Sequence, residues 1–390
     1  MNTKVKKGLK ITGITIGCLV GAIVLAVGSY VVYVLASYYR IEDNQVLEVN
    51  KRSEVNKVTA NEELKYTSFN IGFGAYSNEY DFFLDRGIDA DGTLQTGHWS
   101  KGLSKEDTMN NTNGCINAMK TLNSDFYAIQ EVDTKSNRAY FINQQEKIEE
   151  QFTTFDTTFA QNFHSSYLAY PLYDPHGASN AGLLTMSKFK INDSVRKSLT
   201  ISTGFDKFFD LDRCFSANYL DVDNGKKLCL INIHMSAYDE GGYIRNTQIK
   251  EINTFINAEY DAGNYVLVAG DFNHDLLTNN PNTKYTVDDL AYKDTYTQLV
   301  PTWVSRMFKE DKVSPFGENF TVHAADNAPS CRGVDRPYKY GYTYVTTVDG
   351  FIASNNIEVK KVETTPLTDD GTPNFAYSDH QPTTLTFTLK

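Results

Sequence analysis

The sequence predicts an α/β domain with substantial sheet content, preceded by one membrane-spanning helix. Three observations carry this reading. An uncharged apolar run lies near the N-terminus, short β-like runs then alternate with helical stretches, and polar residues recur where the strands end. At 390 residues, 41% hydrophobic and 22% charged, the chain has globular composition, which excludes wholesale disorder and collagen-like repeats. Five cysteines without a CxxC pair exclude a disulfide-rich scaffold and disfavour a zinc ribbon.

Residues 1–10 form a basic N-terminus carrying Lys4, Lys6, Lys7 and Lys10. Residues 11–39 contain no charge, and about 20 apolar residues suffice to cross a bilayer. Tyr30, Tyr33, Tyr38 and Tyr39 crowd the far half of this run, where aromatic rings favour the membrane interface. The lysines in front of it predict a single-pass anchor with a cytoplasmic N-terminus and an extracellular domain. A bacterial cell surface suits this topology, and an organelle lumen fits it as well. A cleaved signal peptide is the rival reading, but its apolar core is normally roughly 7–15 residues. Residues 40–65 are polar without a sustained apolar pattern, which predicts a juxtamembrane linker before a domain spanning 66–390.

Within that domain YTSFNI reads as a strand. Ser104 with Asp107 predicts a helix start, followed by Ile116, Met119 and Leu122 at helical spacing. DFYAIQE reads as a strand and Arg138 to about Phe152 as a helix. GLLTMS, the segment from Arg213 to Val222, and KLCLINIH predict three strands. Tyr243 to about Tyr260 predicts a helix, and YVLVAGDFN a strand buried on both faces. YTYVTTVDGFIAS and the alternating TTLTFTL complete the strands. Residues 275–330, with polar stretches, Trp303 and a short helical stretch, read as an insertion or elaborated loops. Disulfide pairing among Cys115, Cys214, Cys229 and Cys331 is open at this level, although Cys229 in LCLINI reads as a small core residue.

Asn70, Glu131, His234, Asp271 and Asn273 each close a strand-like run, and Ser378, Asp379 and His380 precede the last one. Ligands bind beyond strand ends in open α/β sheets. Singly each has an ordinary structural explanation. Together, these carboxylates, amides and imidazoles suit a hard divalent cation with acid–base groups beside it, Mg²⁺, Mn²⁺ or Ca²⁺ rather than zinc.

FN at 69–70, QE at 130–131, NIH ending at 234, GDFNHD at 270–275 and SDHQP at 378–382 together resemble the endonuclease/exonuclease/phosphatase superfamily, in order and over about residues 65–390. The resemblance implies a four-layer α/β/β/α sandwich of the DNase I-like kind and a phosphoesterase dependent on Mg²⁺ or Mn²⁺. It implies that Glu131 is the main metal-binding carboxylate, with Asn70 and Asp379 in support. It implies that Asp271 and Asn273 orient the attacking water and the phosphate. His380 would stand at the scissile phosphate, Asp349 would orient it, and His234 would be the second imidazole. Whether His380 or Asp271 is the base stays open. Arg213, on the strand before His234, resembles a phosphate-contacting arginine. NAG at 180–182 resembles the NSGL of the sphingomyelinase-like branch, which implies a substrate-side role for Asn180. Gly350 departs from the family pattern by replacing an aromatic after Asp349.

The tyrosine-rich segment 164–189 reads either as a packed loop or as a wall of the substrate cleft. Residues 41–390 hold 32 basic and 48 acidic side chains, a net charge of −16, which disfavours a basic nucleic-acid groove. The expected substrate is therefore a lipid headgroup or small extracellular phosphoester. A cell-surface nuclease and a catalytically inactive binding module are the alternatives.

Overall fold

The computed structural model describes residues 3–208, 210–237, 242–284, 301, 303–368 and 375–390. The apolar run forms helix α1 (Thr3–Ser37), which is almost wholly exposed along its length, as a bilayer-embedded surface would be.

β-branched and aromatic runs then build two seven-stranded sheets. Fourteen strands take part: β1 (Gln45–Val46), β2 (Val49–Asn50), β3 (Leu64–Asn70), β4 (Phe126–Asp133), β5 (Asp156–His164), β6 (Asn180–Ser187) and β7 (Asp193–Ser198). They continue with β8 (Cys214–Asp221), β9 (Lys227–His234), β10 (Tyr265–Asp271), β11 (Phe320–Ala324), β12 (Asp349–Ser354), β13 (Ile357–Thr364) and β14 (Thr383–Leu389). The first sheet has the order β1-β7-β8-β9-β10-β12-β11, and the second the order β13-β14-β3-β4-β6-β5-β2. Each sheet contains one parallel pair at its centre, β9 with β10 and β3 with β4.

Both faces of each sheet are covered. Tyr66, Phe126, Leu230, Leu267 and Leu385 pack between the sheets. Helix α2 (Lys105–Leu122) and helix α3 (Gln144–Gln151) lay Ile116, Met119 and Ile148 on the outer face of the second sheet. Helix α4 (Tyr243–Asp261) lays Ile249, Ile252 and Ile256 on the outer face of the first. Full burial of such an aliphatic side chain stabilises by about 1.5–3 kcal/mol. The result is the expected four-layer α/β/β/α sandwich. Ser104 caps α2 as its spacing predicts, its hydroxyl accepting the Asp107 N–H at 3.0 Å.

Three sequence expectations need correction. The 40–65 segment is not a free linker: β1 pairs with β7 at the edge of the first sheet and β2 with β5 at the edge of the second. Short edge strands need few apolar residues, so the pattern left no mark. The helix expected from Arg138 begins only at Gln144, because Tyr140 and Phe141 take left-handed backbone and Asn143 caps the helix through the Glu146 N–H. The 275–330 segment is more than loops, since β11 closes the first sheet; residues 285–300 and 302, where part of that expectation falls, lie outside the described residues. All four cysteines of the domain are free and buried.

Gly350 has a packing reason. A Cβ there would lie 2.6 Å from Leu276 Cδ1 and 2.8 Å from the His323 carbonyl. Leu276 thus occupies the space that a larger side chain would need. Gly350→Ala is expected to cost about 1–3 kcal/mol through overpacking, read as a lowered thermal midpoint. An unchanged midpoint would show that β11 and β12 separate freely.

Candidate active site

Strand register assembles the site. His234 pairs with Asp271 across β9 and β10, and Asp271 pairs with Asp349 across β10 and β12, so three titratable groups fall in one row at one end of the first sheet. On the second sheet Asn70 pairs with Gln130, and a bulge between Ile129 and Val132 sets Glu131 apart from the ladder. Glu131 adopts φ +54° and Asn273 φ +49°, left-handed conformations that L-residues other than glycine occupy at a cost of about 1–3 kcal/mol. Such strain persists where it aims a side chain. Asp379 and His380 arrive on the loop between β13 and β14, where His380 bridges to Cys331.

Hydrogen bonds and close charge contacts join these groups into one relay. His380 Nδ1 lies 2.7 Å from Asp349 Oδ2, which also accepts the Ser330 hydroxyl at 2.7 Å. His380 Nε2 lies 3.6 Å from Asp271 Oδ2, and His234 Nε2 lies 3.4 Å from the same oxygen. Asn70 Nδ2 donates to both Asp271 Oδ2 and Glu131 Oε1 at 3.1 Å, and its Oδ1 accepts the Gly72 N–H. Asp271 Oδ1 accepts the Asn273 N–H at 2.9 Å, while Asn273 Nδ2 donates to the Met235 carbonyl.

Burial sets the charges. It pushes the Asp271 carboxyl up, His380 opposing and Asp349 adding to the shift. It pushes Asp379 to about 6, eased by His380 and aggravated by Glu131. Burial also works against a charged His380, but Asp349, Cys331 and Asp271 outweigh it and hold that imidazole well above its ordinary value. His234 goes the other way: burial, Arg213 and His380 keep it neutral, and its Nδ1 has no partner among the described residues.

These groups face a cavity of about 760 Å³. Glu131, His234, Asp271, Asn273, Asp379, His380 and Arg213 line it. Asn70 and Asp349 stand behind them through the bonds above. Arg213 is held by the Met235 carbonyl at 2.8 Å and Asp210 at 3.0 Å, and its Nε has no partner among the described residues. Asn180 is the exception. Its amide is spent on the Lys135 carbonyl, Gln161 and His164, and it does not line the cavity. Three resembling residues were too short a motif to place a side chain. Tyr170 and His176 of the tyrosine-rich segment do line it, with Phe163 and Leu168, whereas Tyr167 and Tyr173 do not.

Sequence reasoning missed Arg138, Arg332, Cys331 and Ser330. Arg138 pairs with Asp133 at 2.8 and 2.9 Å and lies 4.0 Å over the Phe73 ring. Arg332 is fully buried, tied to the Ser77 and Tyr80 carbonyls. Cys331 Sγ lies 3.5 Å from His380 Nε2, and burial pushes its thiol to about 12. None sits in a pattern that spacing alone distinguishes from an ordinary loop.

Glu131 and Asp379 are carboxylates that could take a divalent ion. Two carboxylates face one cavity, and Asp379 is raised both by burial and by Glu131, a charge deficit that a cation would relieve. Asp271, Asp349 and His380 also offer ligand atoms within 4.8 Å of one another, so they could hold a metal by distance. The Asp349–His380 hydrogen bond already occupies one of those atoms.

The fold and this site define a phosphoester hydrolase of the DNase I-like class. The family model described as Endonuclease/Exonuclease/phosphatase family 2 matches residues 99–300, more than half of the chain, and the chain belongs to that family. Members of this family are phosphoester hydrolases that use divalent metals. Among solved structures, the chain is similar to an endonuclease/exonuclease/phosphatase from Beutenbergia cavernae, at 15% identity and TM-score 0.47, covering 84% of this chain and 72% of that one. It is similar to the human Nocturnin catalytic domain at 16% identity and TM-score 0.48, covering 88% and 97%. Truncated Caenorhabditis elegans TDP2 gives 13% identity and TM-score 0.48, covering 84% and 98%. No curated protein matches the chain.

Asp349→Asn removes the charge that orients His380 and is expected to lower turnover by about 10²–10⁴-fold with little change in the thermal midpoint. Turnover within a factor of a few of the native protein would show that Asp349 does not serve His380. Asn180→Ala is expected to leave turnover within about twofold while lowering the midpoint, since its three hydrogen bonds each contribute about 1 kcal/mol.

Proposed function

We propose that the protein is a membrane-anchored, divalent-metal-dependent phosphoesterase that hydrolyses a phosphodiester or phosphomonoester by in-line attack of water. The observation that carries this reading is the Asp349–His380–Asp271 relay at the wall of a cavity that also presents Glu131, Asp379 and Arg213. Glu131 and Asp379, with Asn70 beside them, would hold Mg²⁺ or Mn²⁺. When bound, that ion supplies charge neutralisation at the phosphate.

The chain's own residues do the rest. Asp349 fixes the His380 ring through Nδ1, and His380 lines the cavity, where its imidazolium would meet a phosphate oxygen. Asp271 Oδ2, placed between His380 and His234, orients the water and receives its proton. Asn273 faces the same space and is held by its bond to the Met235 carbonyl. Arg213 lines the same cavity and would meet a non-bridging oxygen of the phosphate. The positive N-terminal flank of α1 supports an extracellular catalytic domain, and the acidic domain favours a lipid headgroup or small phosphoester over nucleic acid.

The full-length protein, stripped with EDTA, is expected to hydrolyse bis-p-nitrophenyl phosphate or p-nitrophenyl phosphate only after Mg²⁺ or Mn²⁺ is restored. Glu131→Ala is expected to lose at least about 10²-fold. Metal-independent turnover, or full activity in Glu131→Ala, would sink the mechanism. Plasmid DNA in the same panel tests the nuclease alternative, and absence of both turnover and calorimetric metal binding would favour an inactive binding module.

A further inference from the structure

The last turns of α1 are bonded to the wall of the cavity. Tyr30 Oη donates to the Tyr167 carbonyl at 3.1 Å and accepts the Ala169 N–H at 2.9 Å. Tyr33 Oη accepts the Tyr167 N–H at 3.1 Å, and Ser37 bonds to Ser166. Tyr39 packs on His164 with ring centroids 4.6 Å apart. Leu168, between the two residues that Tyr30 holds, lines the cavity. On another side, Tyr38 packs edge-on against Phe208, two residues before cavity-lining Asp210.

These contacts fix the depth of the loop in a bilayer. Lys10 and Tyr30 are 20 residues apart, which in a helix spans about 30 Å. That is about the thickness of the hydrocarbon core. With Lys10 at the cytoplasmic boundary, Tyr30 stands at the opposite one, and so does the 166–169 backbone bonded to it. The loop then runs on into exposed apolar side chains. Tyr170 is 61% exposed, Leu172 86% and Tyr173 72%, with Trp99 and Leu84 also exposed. Tyr173 is tied to the strip beside Trp99 through the His98 carbonyl, and Tyr170 packs on Phe83. Tyrosine and tryptophan around a bare leucine are the side chains that the headgroup layer favours. In water the same patch would be costly.

We propose that the 166–173 loop is immersed in the headgroup layer of the membrane that α1 spans, so that the cavity takes its phosphoester from a lipid of that same leaflet. The proposal rests on the phosphoesterase reading for its chemistry and on α1 spanning the bilayer for its geometry. A lipid surface is the occupant because the patch is continuous with the membrane helix and level with the hydrocarbon boundary. The cavity has matching halves. Arg213, His380, Glu131 and Asp379 give it a charged part that would meet a phosphate, and Leu168, Tyr170 and Phe83 give it an apolar part beside the residues that Tyr30 holds. Leu172 does not line the cavity, so its contribution is to the bilayer alone.

The test uses the full-length protein in vesicles of phosphatidylcholine, phosphatidylglycerol and sphingomyelin. Leu172→Trp adds a reporter, read against the emission of the unsubstituted protein. Its fluorescence is expected to be quenched more by lipids brominated near the headgroup than by lipids brominated deep in the chain. Quenching by aqueous acrylamide but by neither lipid overturns the immersion. Leu172→Glu is expected to lower headgroup release from the vesicles by about tenfold while leaving soluble bis-p-nitrophenyl phosphate turnover within about twofold. Retained release, equal loss on both substrates, or soluble turnover with no release of any headgroup overturns the lipid assignment. Absence of turnover on the soluble ester would instead count against the phosphoesterase reading, while the quenching still decides the position of the loop.

Discussion

The site depends on a polar bridge between two sheets. Gln130 Nε2 donates to Asn232 Oδ1 at 2.8 Å, and Asn232 Nδ2 reaches back to the carbonyls of Ile129 and Leu184. Tyr66 adds a bond to the Ile231 carbonyl. Buried amides without partners are expensive, so these bonds hold the sheets in one relative position where an apolar seam would tolerate sliding. Glu131 follows Gln130 directly, and His234 lies two residues past Asn232. The bridge therefore sets the distance between the carboxylate-bearing end of one sheet and the imidazole-bearing end of the other. Asn70, bonded to both Glu131 and Asp271, closes the same gap at the site itself.

Charge is organised against the composition of the domain. Residues 41–390 are acidic as a whole, yet Arg138, Arg213 and Arg332 all line the cavity. A low-dielectric cleft focuses those charges where an anion would sit. Within the cleft the two imidazoles diverge. His380 faces two carboxylates and is held cationic, whereas His234 lies beside Arg213 and stays neutral. Two histidines with different charge states offer one electrostatic partner for phosphate and one neutral ring beside Asp271.

The N-terminal segment is part of the domain rather than a tether. After α1 ends at Ser37, Arg40 bonds to the Leu199 carbonyl and to Asp212, and the Ile41 N–H bonds to Asp212. β1 and β2 then add one edge strand to each sheet. A chain stitched into both sheets within a few residues of the helix leaves little freedom between α1 and the cleft. That restriction lets the position of α1 specify the position of a loop far along the sequence.

By itself the sequence determined many of the element types and the end of the sheet at which chemistry gathers. Strand runs such as YVLVAGDFN and TTLTFTL carry their period in the residues, and Asn70, Glu131, His234, Asp271 and His380 stand where those periods stop. Local signals sufficed there because backbone propensity and alternation are local. Only the tertiary structure decided that Asp271 is the carboxylate partner of His234, that Cys331 touches His380, and that Asn180 supports the backbone instead of the cleft. It also decided that residues 40–65 belong to the sheets and that the tyrosines of α1 grip the 166–169 loop. Those pairings join residues tens to hundreds of positions apart, and strand register and sheet packing, which no window of sequence contains, bring them together.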